Sequence, residues 1–142
     1  MAADPAALWS LDPQLERDTV ALGDLGLSRV LVVNDANYPW LVLVPRQPHL
    51  VEIIDLDEGG RIVLMNEIAR ASRALKAVTG CDKLYIAALG NNVRQLHVHI
   101  IARFVGDAAG RRPVWDAVPP RPYEQAGLHA FVRSLRREMD LG

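Results

Sequence analysis

The stretch Gln95-Leu-His-Val-His-Ile-Ile101 holds two of the chain's four histidines. In an extended strand successive side chains point to opposite faces. Gln95, His97 and His99 would therefore leave one side, while Leu96, Val98 and Ile100 leave the other and face a core. Just before it, Leu89-Gly-Asn-Asn-Val-Arg94 is a polar connection whose Gly90, Asn91 and Asn92 offer backbone N–H groups and amide donors. Two imidazoles beside such a loop suit an anion. Neutral imidazole is a nucleophile, and a reference pKa of about 6.5 keeps it largely unprotonated at neutral pH. Amide donors can hold phosphate oxygens, and phosphoryl-type transfer asks for little beyond positioning and charge stabilisation. A histidine nucleophile would divide the displacement into two easier steps through a covalent intermediate.

The same spacing has other readings. A histidine on a strand is commonly a half-buried, hydrogen-bonded structural residue. Paired histidines one residue apart can also ligate a metal, with His49 or Cys81 completing the set. Spacing alone leaves the structural, metal-binding and nucleophilic readings level.

The surrounding chain must supply elements that position this segment. Residues 1–13 read as a tail closed by Asp12–Pro13, and residues 14–22 as a short helix or a strand. Ser28 to Val33 is rich in β-branched residues and predicts a strand. Asn34 to Pro39 predicts a turn, and Trp40 to Val44 a second strand ended by Pro45 and Pro48, giving an antiparallel hairpin. Asp55-Leu-Asp-Glu58 supplies an N-cap and first-turn acids for a helix. Its core face would be Ile62, Met65, Ala69, Ser72 and Leu75, and Gly80 its stop. Lys83 to Ala88 and Leu96 to Phe104 predict two further strands. Residues 106–122, with four prolines, predict a loop, and Leu128, Phe131, Val132, Leu135 and Met139 one face of a closing helix. The order predicts an α+β meander with helices on one face of an antiparallel sheet.

Composition narrows the classes. A chain of 142 residues fits one domain on the usual prior of roughly 100–200 residues. Half of the residues are hydrophobic, enough to fill a core. A formal net charge of −1 lacks the basic excess of a general nucleic-acid binder. Arg133, Arg136 and Arg137 are followed by Glu138 and Asp140, as on a solvated helix face. Cys81 is the only cysteine, so no internal disulfide forms and a reducing compartment is expected. Residues 1–18 lack a basic start and a long apolar run, and no stretch approaches a membrane span. We expect a cytoplasmic protein without a membrane partner.

Gln95 to Ile101, preceded by Gly-Asn-Asn-Val-Arg and followed by Ala-Arg-Phe, resembles the signature of the histidine triad (HIT) family of nucleotide hydrolases and transferases. That signature alternates three histidines with hydrophobic residues. Val30 to Arg46 is similar to the family's nucleotide-binding hairpin, and the likeness spans roughly residues 28–104. It is nearest to small bacterial members resembling diadenosine-polyphosphate hydrolases. The resemblance implies a HIT-like α+β fold: an antiparallel sheet of about five strands, a long helix and a C-terminal helix. It implies a single HIT domain over 1–142, with a core of about 14–104 and a proline-rich loop and helix over 105–142.

The resemblance also implies roles. His97 takes the middle position, whose imidazole attacks the α-phosphate and becomes nucleotidylated. His99 takes the last, which contacts phosphate oxygens and assists the leaving group. Asn34 or Asp35 falls where ribose hydroxyls are held; Asn91, Asn92 and Val93 fall in the phosphate-binding loop. The first triad position is Gln95, which hydrogen-bonds but cannot titrate near neutrality, so any proton relay through a first histidine is lost. The expected substrate is a nucleoside phosphoramidate or dinucleoside polyphosphate, with no resident metal or cofactor, no nucleic-acid partner, and a homodimer as the assembly. A nucleotide-binding sensor without turnover is the alternative that Gln95 keeps open, and a protein using His97 and His99 as metal ligands is a third. His49 and His129 are expected to be structural or surface residues, Trp40 and Trp115 packing residues, with Trp115 a candidate for bordering a base pocket.

Overall fold

A computed structural model describes residues 8–141. Asp12 caps the first helix, its carboxylate accepting the Gln14 N–H at 2.8 Å, and Pro13 sits in its first turn, where a missing N–H costs nothing. That helix, α1 (Pro13–Asp18), passes directly into β1 (Thr19–Asp24). The segment expected to be helix or strand is thus one followed by the other. Strands β2 (Ser28–Val33) and β3 (Trp40–Pro45) form the expected hairpin, with Val30 opposite Leu43 and Val32 opposite Leu41. A short 3-10 turn at Ile53–Asp55 leads into α2 (Glu58–Thr79). The Asp57 carboxylate caps α2 by accepting the Gly60 N–H at 2.7 Å. Gly80 ends it in the left-handed region at φ 65°, where glycine carries no Cβ penalty. Strands β4 (Lys83–Ala87) and β5 (Val98–Arg103) and helix α3 (Gln125–Glu138) complete the order.

The five strands make one antiparallel sheet in the order β1-β2-β3-β5-β4. After α2 the chain runs out along the edge as β4 and returns between β4 and β3. The histidine strand β5 is therefore central, paired on both sides. Alternation divides its residues cleanly: Val98, Ile100 and Ala102 join one core with Val30, Val32, Leu41 and Leu43, under Leu64, Ile68, Ala71 and Leu75 of α2 and Leu135 of α3. Ile101 joins a second core on the opposite face, with Leu31, Trp40, Val42 and Val44. Among the described residues, that second face meets no long helix, only the short α1 through Leu15. It is covered by Trp9, Leu11 and Leu15 from the N-terminal segment and by Ala109, Val114, Trp115 and Val118 from the proline-rich loop.

Three details differ from the sequence reading. β5 begins at Val98, so Gln95, Leu96 and His97 precede the ladder, although Leu96 still enters the first core. Trp9 and Leu11 pack against the sheet, whereas residues 1–7 of the expected tail lie outside the described residues. The buried stripe of α2 is Leu64, Ile68, Ala71, Ser72 and Leu75, while Ile62 and Met65 face outward. Both stripes are apolar at helical spacing, so periodicity cannot choose between them. Glu67 does: it is buried at 7% exposure, its carboxylate accepting the Leu27 N–H at 2.8 Å and the Ser28 N–H at 2.9 Å. Two charge-assisted bonds offset its burial and fix which side of α2 meets the β1–β2 turn. Among the described residues, no helix is long and apolar enough to cross a membrane.

Candidate functional site

His97 and His99 stand side by side, as alternation requires: their ring centroids are 4.9 Å apart at an interplanar angle of 74°. Both are nearly covered, at 6% and 8% exposure. Among the described residues, neither Nε2 counts as a sealed polar atom without a partner.

Their other nitrogens are held by groups of opposite character. His97 Nδ1 lies 2.6 Å from the Gln95 carbonyl oxygen. A carbonyl only accepts, so Nδ1 carries the proton and Nε2 the lone pair. His99 Nδ1 lies 3.0 Å from Trp40 Nε1. An indole N–H only donates, so Nδ1 of His99 is the acceptor and its Nε2 bears the proton. Two adjacent imidazoles thus present a nucleophilic nitrogen and a neutral N–H donor. Burial pushes the His99 pKa down to about 4, and the neighbouring His97 lowers it further, because a cation there would lose hydration without gaining a counter-charge.

Gln95 plays a different part from its neighbours. Its amide oxygen accepts the Asp12 N–H and its amide nitrogen donates to the Ser10 carbonyl, both at 2.9 Å. The side chain pins the N-terminal segment, and only the Gln95 backbone reaches an imidazole.

A cavity of about 400 Å³ has Arg17, Asp18, Val33, Asn34, Asp35, Trp40, Trp115 and Asp116 in its wall, and neither His97 nor His99 lines it. Trp40 and Trp115 link it to the imidazoles: the two indoles meet edge to face at 5.8 Å, and their rings lie 5.7 and 5.2 Å from His99. Asn34 and Asp35 are both in the wall, but their oxygens are not equally available. The Asn34 side-chain oxygen accepts the Tyr123 N–H at 2.9 Å. Asp35 Oδ1 accepts the N–H groups of Asn37 and Arg121 at 2.9 and 3.2 Å, while Oδ2 has no hydrogen-bond donor among the described residues. Asn91 and Asn92 are exposed on the β4–β5 connection, and Val93 packs on the second core. None of the three lines the cavity.

Trp115 borders the cavity as the sequence suggested. Arg17, Asp18 and Asp116 were missed, because nothing in their local sequence separates them from surface charges. Among the described residues no group of three or more His, Cys, Asp or Glu side chains is gathered to hold a metal. His49 is exposed after β3, and Cys81 is buried behind α2.

Residues 14–106 match the HIT domain family model. A histidine triad protein of Bradyrhizobium japonicum is 60% identical in solved structure, superposes with a TM-score of 0.91, and is covered over 92% of this chain and 98% of its own. Histidine triad proteins of Sinorhizobium meliloti and Marinobacter aquaeolei are each 37% identical over 94% of this chain. They cover 98% and 97% of their own, with TM-scores of 0.91 and 0.90. No curated protein matches the sequence. With the domain matched over residues 14–106 and these relatives covered over nearly their whole length, the chain belongs to the histidine triad family.

Proposed function

We propose that the protein is a nucleotide hydrolase or transferase. It acts at the α-phosphate of a nucleotide derivative, a phosphoramidate or a dinucleoside polyphosphate, through a nucleotidyl-His97 intermediate. The observation that carries this reading is the opposed tautomers of the pair, His97 with its Nε2 lone pair free and His99 with its Nε2–H.

His97 Nε2 attacks the α-phosphorus, so that a P–N bond forms as the bond to the leaving group breaks and that group departs with the electron pair. The Gln95 carbonyl steadies the positive charge on the His97 ring through its Nδ1–H. Water then attacks the same phosphorus and gives up a proton to solvent as its O–P bond forms, while the P–N electrons return to His97 and the nucleoside monophosphate is released. His99 donates to phosphate oxygen in both steps, and the amide and N–H groups at Asn91, Asn92 and Val93 hold the remaining phosphate oxygens. The cavity takes the nucleoside. Its volume falls in the range of small-molecule sites, about 300–1,000 Å³. Trp115 supplies an aromatic wall for the base, and the free Asp35 Oδ2 accepts from the ribose.

We further propose a homodimer, supported by the open edge of β4 and the outward apolar residues Ile62 and Met65 of α2.

The test is to incubate the protein with nucleoside phosphoramidates and dinucleoside polyphosphates and to trap the adduct by mass spectrometry. Wild type should gain one nucleotidyl group on His97. His97→Ala should form none and lose at least about a thousandfold in turnover, as expected for removal of a nucleophile. In the same assay Asp35→Ala should raise KM about tenfold or more, the cost of a lost hydrogen bond to a charged group. Wild-type turnover by His97→Ala would overturn the nucleophile. Tight nucleotide binding with neither adduct nor product would make the protein a sensor instead.

A further inference from the structure

The indole of Trp40 can be neither turned nor exchanged for water without dismantling its surroundings. It is 8% exposed, on the same sheet face as His99, opposite Ile101 and therefore diagonal to His99 across the β3–β5 ladder. Tyr38 and Trp115 meet its ring edge to face at 6.3 and 5.8 Å. Its single polar atom, Nε1, is committed to His99 Nδ1.

We propose that Trp40 is a positioning residue that locks His99 as the neutral Nε2–H tautomer, so that the site favours leaving groups able to depart as anions. The proposal rests on the nucleotidyl-transfer reading above and narrows its substrate. A doubly protonated His99 would set an N–H at Nδ1 against the N–H of Trp40, two donors without an acceptor. A neutral His99 that surrendered its Nε2 proton would become an imidazolate. Trp40 thus lets His99 give a hydrogen bond but not a proton. Gln95 cannot supply one either, since its amide does not titrate and is tied to Ser10 and Asp12. A polyphosphate leaving group departs as an anion and needs only the hydrogen bond. The amine of a phosphoramidate must collect a proton as its P–N bond breaks, and this pair of rings offers none. Burial, which keeps His99 neutral at physiological pH, acts in the same direction.

Imidazole nitrogen NMR on the wild-type protein tests the tautomer without any variant. The expected spectrum has the His99 proton on Nε2 and a coupling across the hydrogen bond from Trp40 Nε1 to His99 Nδ1. A proton on His99 Nδ1 would overturn the proposal. Trp40→Phe, which keeps the ring and removes the N–H, should mix the two His99 tautomers. It should also narrow the kcat/KM ratio of dinucleoside polyphosphate over phosphoramidate by about tenfold, the scale of one hydrogen bond. An unchanged ratio, with the variant folded by circular dichroism, would refute the leaving-group preference. If wild type turns over neither substrate, it is the nucleotidyl-transfer reading that falls, and the NMR spectrum still decides what Trp40 does to His99.

Discussion

A buried imidazole that stays neutral leaves a signature in acid. His99 is held at about 4 in the fold, whereas an unfolded histidine titrates near 6.5. Between these values the unfolded chain binds a proton that the folded chain refuses, so stability must fall as pH falls. The contribution is fully present above about pH 6.5 and is lost on the way down to pH 4. At about 1.4 kcal/mol per unit the total is on the order of 3 kcal/mol. Carboxylates also titrate toward the lower end, so the informative comparison is with His99→Gln. Urea melts at pH 7 and pH 4.5 should show wild type losing about 2 kcal/mol more than the variant. Parallel losses would mean that His99 is not desolvated as its burial implies.

At the scale of elements, the wall that carries Trp115 is held by one arginine. Arg103, at the end of β5, is 4% exposed and bidentate to Asp107, at 2.7 and 2.8 Å. Its remaining donors reach the carbonyls of Gly110 and Arg112 at 2.9 and 3.1 Å. Its guanidinium also lies over Tyr85, 4.7 Å from the ring centroid. The hydrogen-bonded guanidinium keeps Asp107 below the usual carboxylate range. The loop after β5 is thus wound around a cation at the end of the histidine strand. Arg103→Met leaves Asp107 covered and uncompensated, so we expect a loss of about 3–5 kcal/mol in denaturant unfolding. Adding Asp107→Leu should restore much of it, because replacing both partners removes the stranded charge. A single variant within about 0.5 kcal/mol of wild type would show that the pair does not hold the loop.

For the whole molecule, the sheet stops at β4 with one edge unpaired. An open edge invites another strand unless something blunts it. Ile86 of β4 sits opposite Ile100 and is 52% exposed; Ile62 and Met65 of α2 are exposed at 56% and 64%. Pairing two such edges about a two-fold axis would bring Ile86 of both copies to the seam. Sedimentation should therefore find a dimer, and Ile86→Arg should shift it to monomer at micromolar concentration with its far-ultraviolet spectrum intact. A wild-type protein monomeric at the highest attainable concentration would remove the proposed assembly.

Much of this was legible in the residues. Alternation alone put His97 beside His99 and sent Leu96, Val98 and Ile100 into the core, because a strand has a period of two whatever surrounds it. The hairpin turn, an N-cap within Asp55–Glu58 and the stop at Gly80 were equally local, each following from a residue's own backbone preferences or reach. The opposed tautomers were not local. They depend on Trp40, which sits fifty-nine positions from His99 in the chain and meets it through strand register. The role of Gln95 was hidden for the same reason, since its amide partners lie eighty-three and eighty-five positions away. The sheet-facing side of α2 was misplaced at Ile62 and Met65, because only the fold brings Glu67 to the N–H groups of Leu27 and Ser28. The amino-acid order by itself determined which side chains share a face, because that follows from backbone periodicity. Tertiary structure alone decided which nitrogen of each histidine carries the proton, because that is set by whichever donor or acceptor the folded chain brings within hydrogen-bonding distance.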